Sequence, residues 1–115
     1  MQATMDNLPA LQNEFDRAEQ ARAKGNEGQA RVCARRAAGI AIREYLANSG
    51  TRVPAASAYD LLNLLKEDPR LPAGLKISVD HLTVRVTEEF KLPVDADLVA
   101  EAKTLCEELL KSKSP

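Results

Sequence analysis

Apolar residues recur along this chain at helical spacing. Leu8, Leu11, Phe15 and Ala18 step by three, four and three positions, which puts them on one face of a helix from about Leu8 to Lys24. Pro9 suits the first turn, and Gly25 suits the left-handed residue that ends it. Asn26 then opens a second helix, with Gln29 at capping-box spacing, and Asn48-Ser49-Gly50 closes it. Its apolar positions are Ala30, Cys33, Ala34, Ala37, Ala38, Ile40, Ala41, Ile42, Tyr45 and Leu46. A surface that wide predicts a central helix with several neighbours, and the small residues let those neighbours come close. Gly39 costs helix propensity at mid-helix, so a packing reason is expected there.

After a loop containing Pro54, Ser57 is the expected N-cap of a short helix, with Asp60 at its third position. Leu61, Leu62, Leu64 and Leu65 supply its apolar face, and Pro69 forces it to stop. Pro72 and Gly74 mark the next loop. The stretch from Leu75 to Phe90 carries two patterns: Leu75, Val79, Leu82 and Val86 fit a helix, while Leu82, Val84 and Val86 alternate like a strand. A strand would lack a partner elsewhere in the sequence, so helix is the reading. Asp95 is the expected cap of the last helix, with Val94 and Val99 as a hydrophobic staple. Leu98, Ala102, Leu105 and Leu109 form its stripe, with Cys106 beside it. These elements predict an all-α fold: one domain over residues 1–115, a five-helix, mostly antiparallel up-and-down bundle with frayed ends.

Composition changes this picture little. The chain has 115 residues, enough to bury a core without a disulfide or metal. Aromatic residues are 3% of it and Trp is absent, so the core must be aliphatic. The net charge is −1, which gives no global field toward nucleic acid or an anionic membrane. Cys33 and Cys106 lack zinc-ligand spacing and lie on apolar stripes, as buried free thiols would. A charged start followed by an apolar signal core is not seen, nor is an apolar run near the ~20 residues of a membrane span, so the expected setting is cytoplasmic.

Candidate chemistry is sparse. His81 is the sole histidine and only Asp80 is adjacent, at an angle that makes no pair. Arg31, Arg35, Arg36 and Arg43 make the second helix basic; Arg36 and Arg43 share one face, Arg31 and Arg35 another. Interleaved aromatics are missing, which argues against base stacking. The carboxylates Glu88, Glu89, Glu101, Glu107 and Glu108 suggest no metal site without histidine partners. A glycine-rich phosphate loop is also lacking. No catalytic residue, metal ligand or cofactor is assigned.

The order of features resembles the HEPN family of small helical bundles. The resemblance rests on the Gly25-Asn26 break, on Ala34-Arg35-Arg36-Ala37-Ala38 through Leu46, and on Ser57-Ala58-Tyr59-Asp60-Leu61-Leu62, where Tyr59 stands at a frequent histidine position. Leu82 to Pro93 and the helix after Asp95 fit its last two helices. Many members are ribonucleases marked by an Arg, four to six residues, then a His. Here Arg70 lies too far upstream of His81, Lys76 is not an arginine, and Arg85 follows in the wrong order. The resemblance therefore implies a non-catalytic member, a homodimer or the partner of a minimal nucleotidyltransferase in a toxin–antitoxin-like pair. Weak nucleotide or RNA binding would fall to Arg85, Arg36 and Arg43, the first places to look for a phosphate contact. The first two helices also resemble a tetratricopeptide hairpin, through Ala18, Gly25-Asn26 and Ala30, but no second copy follows at that period.

Overall fold

The computed structural model describes residues 8–50, 57–84 and 97–111. Over these residues the chain forms five helices: α1 (Pro9–Ala23), α2 (Glu27–Asn48), α3 (Ala58–Lys66), α4 (Ala73–Thr83) and α5 (Leu98–Lys111). Among the described residues there is no strand, so the all-α expectation holds.

The turn between α1 and α2 uses Asn26 twice. Gly25 takes φ 79°, and its N–H bonds to the carbonyl of Arg22 at 3.0 Å while the N–H of Asn26 bonds to that of Ala21 at 2.8 Å. This pair of bonds closes a helix C-terminus around a left-handed glycine. Asn26 then caps α2, its Oδ1 accepting from the N–H of Gln29 at 3.1 Å. The expected return bond of the capping box is absent because the Asn26 N–H is already committed to α1. The Gln29 amide reaches forward to Cys33 Sγ instead, at 3.7 Å.

Helix α2 is central. It packs against α1, α3 and α5, whereas α4 is held chiefly between α3 and α5. Ten of its residues are buried, and nine of them are apolar positions expected from the sequence; the tenth is Gly39, and Ile40 is only half-buried. A Cβ at Gly39 would stand 3.0 Å from Ala58 Cβ and 3.2 Å from Ala58 Cα, which is the packing reason for the glycine. The core is aliphatic except for Phe15 and Tyr45. Both thiols are buried and free. Burial, and then Glu107, push the Cys106 thiol up to about 12, and its S–H faces the Ala37 carbonyl at 3.7 Å.

Three boundaries differ from the sequence reading. Helix α4 begins at Ala73, right after Pro72, so Gly74 lies in its first turn rather than in a loop. Proline there supplies a fixed φ and the glycine is tolerated in the end turn. The same helix stops at Thr83, not Phe90. Val84 is extended at φ −67°, ψ 132°, and residues 85–90 lie outside the described ones. Thr83 aids the stop by turning its Oγ1 back onto the carbonyls of Val79 and Asp80, at 3.1 and 2.9 Å. Helix α5 starts at Leu98 with Asp97 as its cap, Oδ1 accepting from the N–H of Ala100 at 3.1 Å. The cap expected at Asp95 and the staple partner Val94 lie outside the described residues. Helix α3 matches closely: Ser57 and Asp60 exchange both capping-box bonds.

Candidate functional site: an arginine-lined groove and a histidine–glutamate pair

The arginines of α2 divide between two roles. Arg35 turns inward to the end of α4, where Nε donates to the Leu82 carbonyl at 2.7 Å and Nη2 to the Val84 carbonyl at 3.1 Å. Those carbonyls are left unsatisfied where the helix stops, and a cation suits that end of the helix dipole. Arg35 is therefore a structural clamp. Arg36 and Arg43, the two sequence candidates on this helix, are exposed and line a single groove. Arg85, the third, lies outside the described residues.

The groove has a volume of about 430 Å³ and opens between α1, α2 and the start of α3. Gly39, Ile40 and Leu61 are apolar lining, and Ala58 marks the first turn of α3. Glu14 and Arg17 of α1 bring polar groups from the other helix. The absent side chain at Gly39 lets α3 approach and opens this concavity, so one residue serves both packing and shape. Ala10 to Arg17 of α1 and Arg36 to Arg43 of α2 line the groove together, while Arg22 and Glu27 meet at 2.7 Å across the turn that joins the two helices.

Glu14 is the unusual member. It is 8% exposed, one oxygen accepts from Arg17 Nη1 at 3.3 Å, and Oε2 is buried with no hydrogen-bond partner. A buried acceptor left unmade costs about 1–3 kcal/mol, and more when charged. Such a group is accounted for by stored strain, by a functional role or by an ordered water. The sequence did not single out Glu14 or Arg17. Glu14 follows Leu11 by three positions, so helical spacing places it beside the apolar stripe, and that was the available signal.

A second cluster joins α4 to α5. His81 Nδ1 lies 2.8 Å from both carboxylate oxygens of Glu101, with the two side chains 29% and 24% exposed. The sequence reading left His81 without a partner and Glu101 without a histidine. The pair is 20 residues apart in sequence, and only tertiary packing brings it together. Among the described residues no group of three His, Cys, Asp or Glu side chains is placed to hold a metal ion.

Two further polar clusters tie elements together. Arg22 bridges α1 to Glu27 of α2 and to Asp97 at the start of α5, at 2.7 and 2.9 Å. The hydrogen bond from Arg22 holds the Asp97 carboxyl below the ordinary carboxylate range against a smaller opposing effect of burial. Arg70 grips Asp68 through Nε and Nη2, both at 3.1 Å, and lies 5.5 Å from the centre of the Tyr45 ring. The Tyr45 hydroxyl donates to Asp68 at 3.1 Å. The Arg70 hydrogen bond lowers Asp68, while burial and then the Asp68 contact raise Tyr45. These clusters tie α1 to α2 and to the start of α5, and α2 to the loop after α3.

Among the described residues the exposed large apolar side chains are Ile77 at 57%, Leu64 at 38% and Val32 at 36%. Ile77 was expected off the α4 stripe, and it is. Among the described residues no helix is long and apolar enough to cross a membrane. No protein-family model matches this chain, and no curated protein or solved structure matches it.

Proposed function

We propose that this chain is a non-catalytic, HEPN-like helical module that acts through protein contacts, as a homodimer or as the partner of a minimal nucleotidyltransferase in a toxin–antitoxin-like pair. The observation that carries this reading is the groove: a concave surface with an apolar lining, arginines at its edge and an unsatisfied carboxylate in its wall. Apolar grooves edged by polar groups are one form that protein-docking surfaces take. Nucleotide or RNA phosphate is a weaker occupant of the same arginines.

Co-expression with the minimal nucleotidyltransferase encoded nearest to it tests the partner. A stoichiometric complex on size exclusion supports the pairing; separate elution of the two chains removes that partner.

One observation favours a second reading, a divergent ribonuclease of the same family. A carboxylate on Nδ1 fixes an imidazole and leaves Nε2 as the nitrogen available for proton transfer, the arrangement of a general base. Cleavage of tRNA that disappears in His81→Ala would establish that reading. Cleavage by neither protein sets it aside.

A further inference from the structure

Three helices converge on the last turn of α4. Lys66 of α3 pairs with Asp80 at 3.5 Å, Glu101 of α5 holds His81 at 2.8 Å, and Arg35 of α2 donates to the carbonyls of Leu82 and Val84 at 2.7 and 3.1 Å. The lysine pair lies at the surface, with side chains 34% and 63% exposed, and such pairs contribute little. Arg35 and the His81–Glu101 pair are part-buried and carry the junction. The other end of α4 is built differently. Its N-cap is Pro72, whose ring offers no capping oxygen, and Gly74 weakens the first turn. Ala73, Gly74, Lys76 and Ile77 are exposed, while the buried Ser78, Val79, Leu82 and Thr83 all lie in the second half.

We propose that α4 is a strap latched at its C-terminal end. It lifts from α3 and α5 as one unit when the Arg35 and Glu101 ties let go, and α1, α2 and α5 stay folded. Lifting uncovers the fully buried Val79 and Leu82 and the surface they cover. Elements that open separately are those with few buried apolar side chains. Helix α4 buries two, Val79 and Leu82, where α5 buries seven. Its 11 residues also fall short of the roughly 12–15 below which an isolated helix is marginal, so it stays formed only while docked. A polar latch suits reversible opening, because its hydrogen bonds are exchanged for bonds to water. The strap is a property of this chain alone and does not rest on the contact reading above.

Thiol labelling on the full chain tests this, with Cys33 and Cys106 as internal references. Both are fully buried, in α2 and α5, and react only when those helices open. Ser78→Cys places a third thiol in the buried half of α4 with little change in size. Peptide mass spectrometry should show the introduced thiol labelled at least about tenfold faster than Cys33 and Cys106. Adding Arg35→Ala or Glu101→Ala should raise its rate by about tenfold again and leave the two native thiols unchanged. A common rate for all three thiols would overturn the proposal, because α4 would then leave only with the whole domain. So would a rate in α4 that neither latch variant changes, or a rise shared equally by the native thiols. Amide exchange on the wild-type chain makes the same comparison without an added thiol. Residues 79–83 should exchange through a lower-lying opening than residues 37–42 of α2, and equal protection of the two would also overturn it.

Discussion

At Gly39, distance outweighs helix propensity. Alanine would gain roughly 1 kcal/mol of propensity in a helix interior, yet any side chain there meets the backbone of α3 at Ala58. Gly39→Val adds branched atoms to that contact and should destabilise by about 1–3 kcal/mol, read from urea melts. Ala37 faces the same constraint from α5: it is fully buried and its carbonyl faces the Cys106 thiol. Ala37→Leu should overpack the core by about 1–3 kcal/mol; a wild-type melt would mean that α2 is not central. Glu14 runs the other way. Glu14→Met removes a buried, unpartnered oxygen and strands only Arg17, whose side chain is 65% exposed. The variant should be more stable by about 1 kcal/mol, and a clear loss of stability would show that Oε2 has a partner in solution. The burial of Ala37 could be read from the sequence, because small residues on a wide apolar helix imply close neighbours. The environment of Glu14 could not, because a carboxylate near a stripe is equally well solvated until a neighbouring helix covers it.

Element boundaries depend on which backbone groups are already used. Asn26 could complete only half of its capping box because α1 had taken its N–H. The end of α4 depends on Arg35, 47 residues from Leu82 in sequence, and such a clamp leaves no local signature. Arg35→Ala should loosen α4 at a cost of about 1–3 kcal/mol, seen as faster amide exchange over residues 79–83. Arg35→Lys should not restore it, because an ammonium cannot span both carbonyls. The caps at Ser57 and Asp60 were legible because all their partners lie within one turn. His81 with Glu101 was not, since two side chains on different helices share no spacing rule. Acid sensitivity also belongs to this scale. Asp68 and Asp97 sit below the ordinary carboxylate value of 3.8 in the fold, through Arg70 and Arg22. A lowered folded value means the stabilisation is complete above the unfolded range and is lost as pH falls through the folded value. Melting temperatures should therefore hold above about pH 5 and decline below about pH 4. Asp68→Asn with Asp97→Asn should flatten that decline; an unchanged slope would place the acid lability elsewhere.

Among the described residues most large apolar side chains are buried against one another. The wide apolar surface of α2 is taken up almost wholly by α1, α3 and α5, leaving Val32 exposed and Ile40 half-buried. Beside Ile40 a groove stays open, with Arg36 and Arg43 in its lining. The sequence named Arg36 and Arg43 and paired them on one face; it could not show that α3 approaches at Gly39 to make that face concave. The central question is whether the domain acts by joining another chain. Light scattering across micromolar dilution, on the chain alone and in equimolar mixture with the nucleotidyltransferase, measures that directly. A mass above the 12.5 kDa of one chain is expected in at least one of the two series: about 25 kDa for a symmetric dimer, or the summed mass of a complex. A mass of 12.5 kDa at every concentration, with the mixture scattering as two independent species, would contradict it.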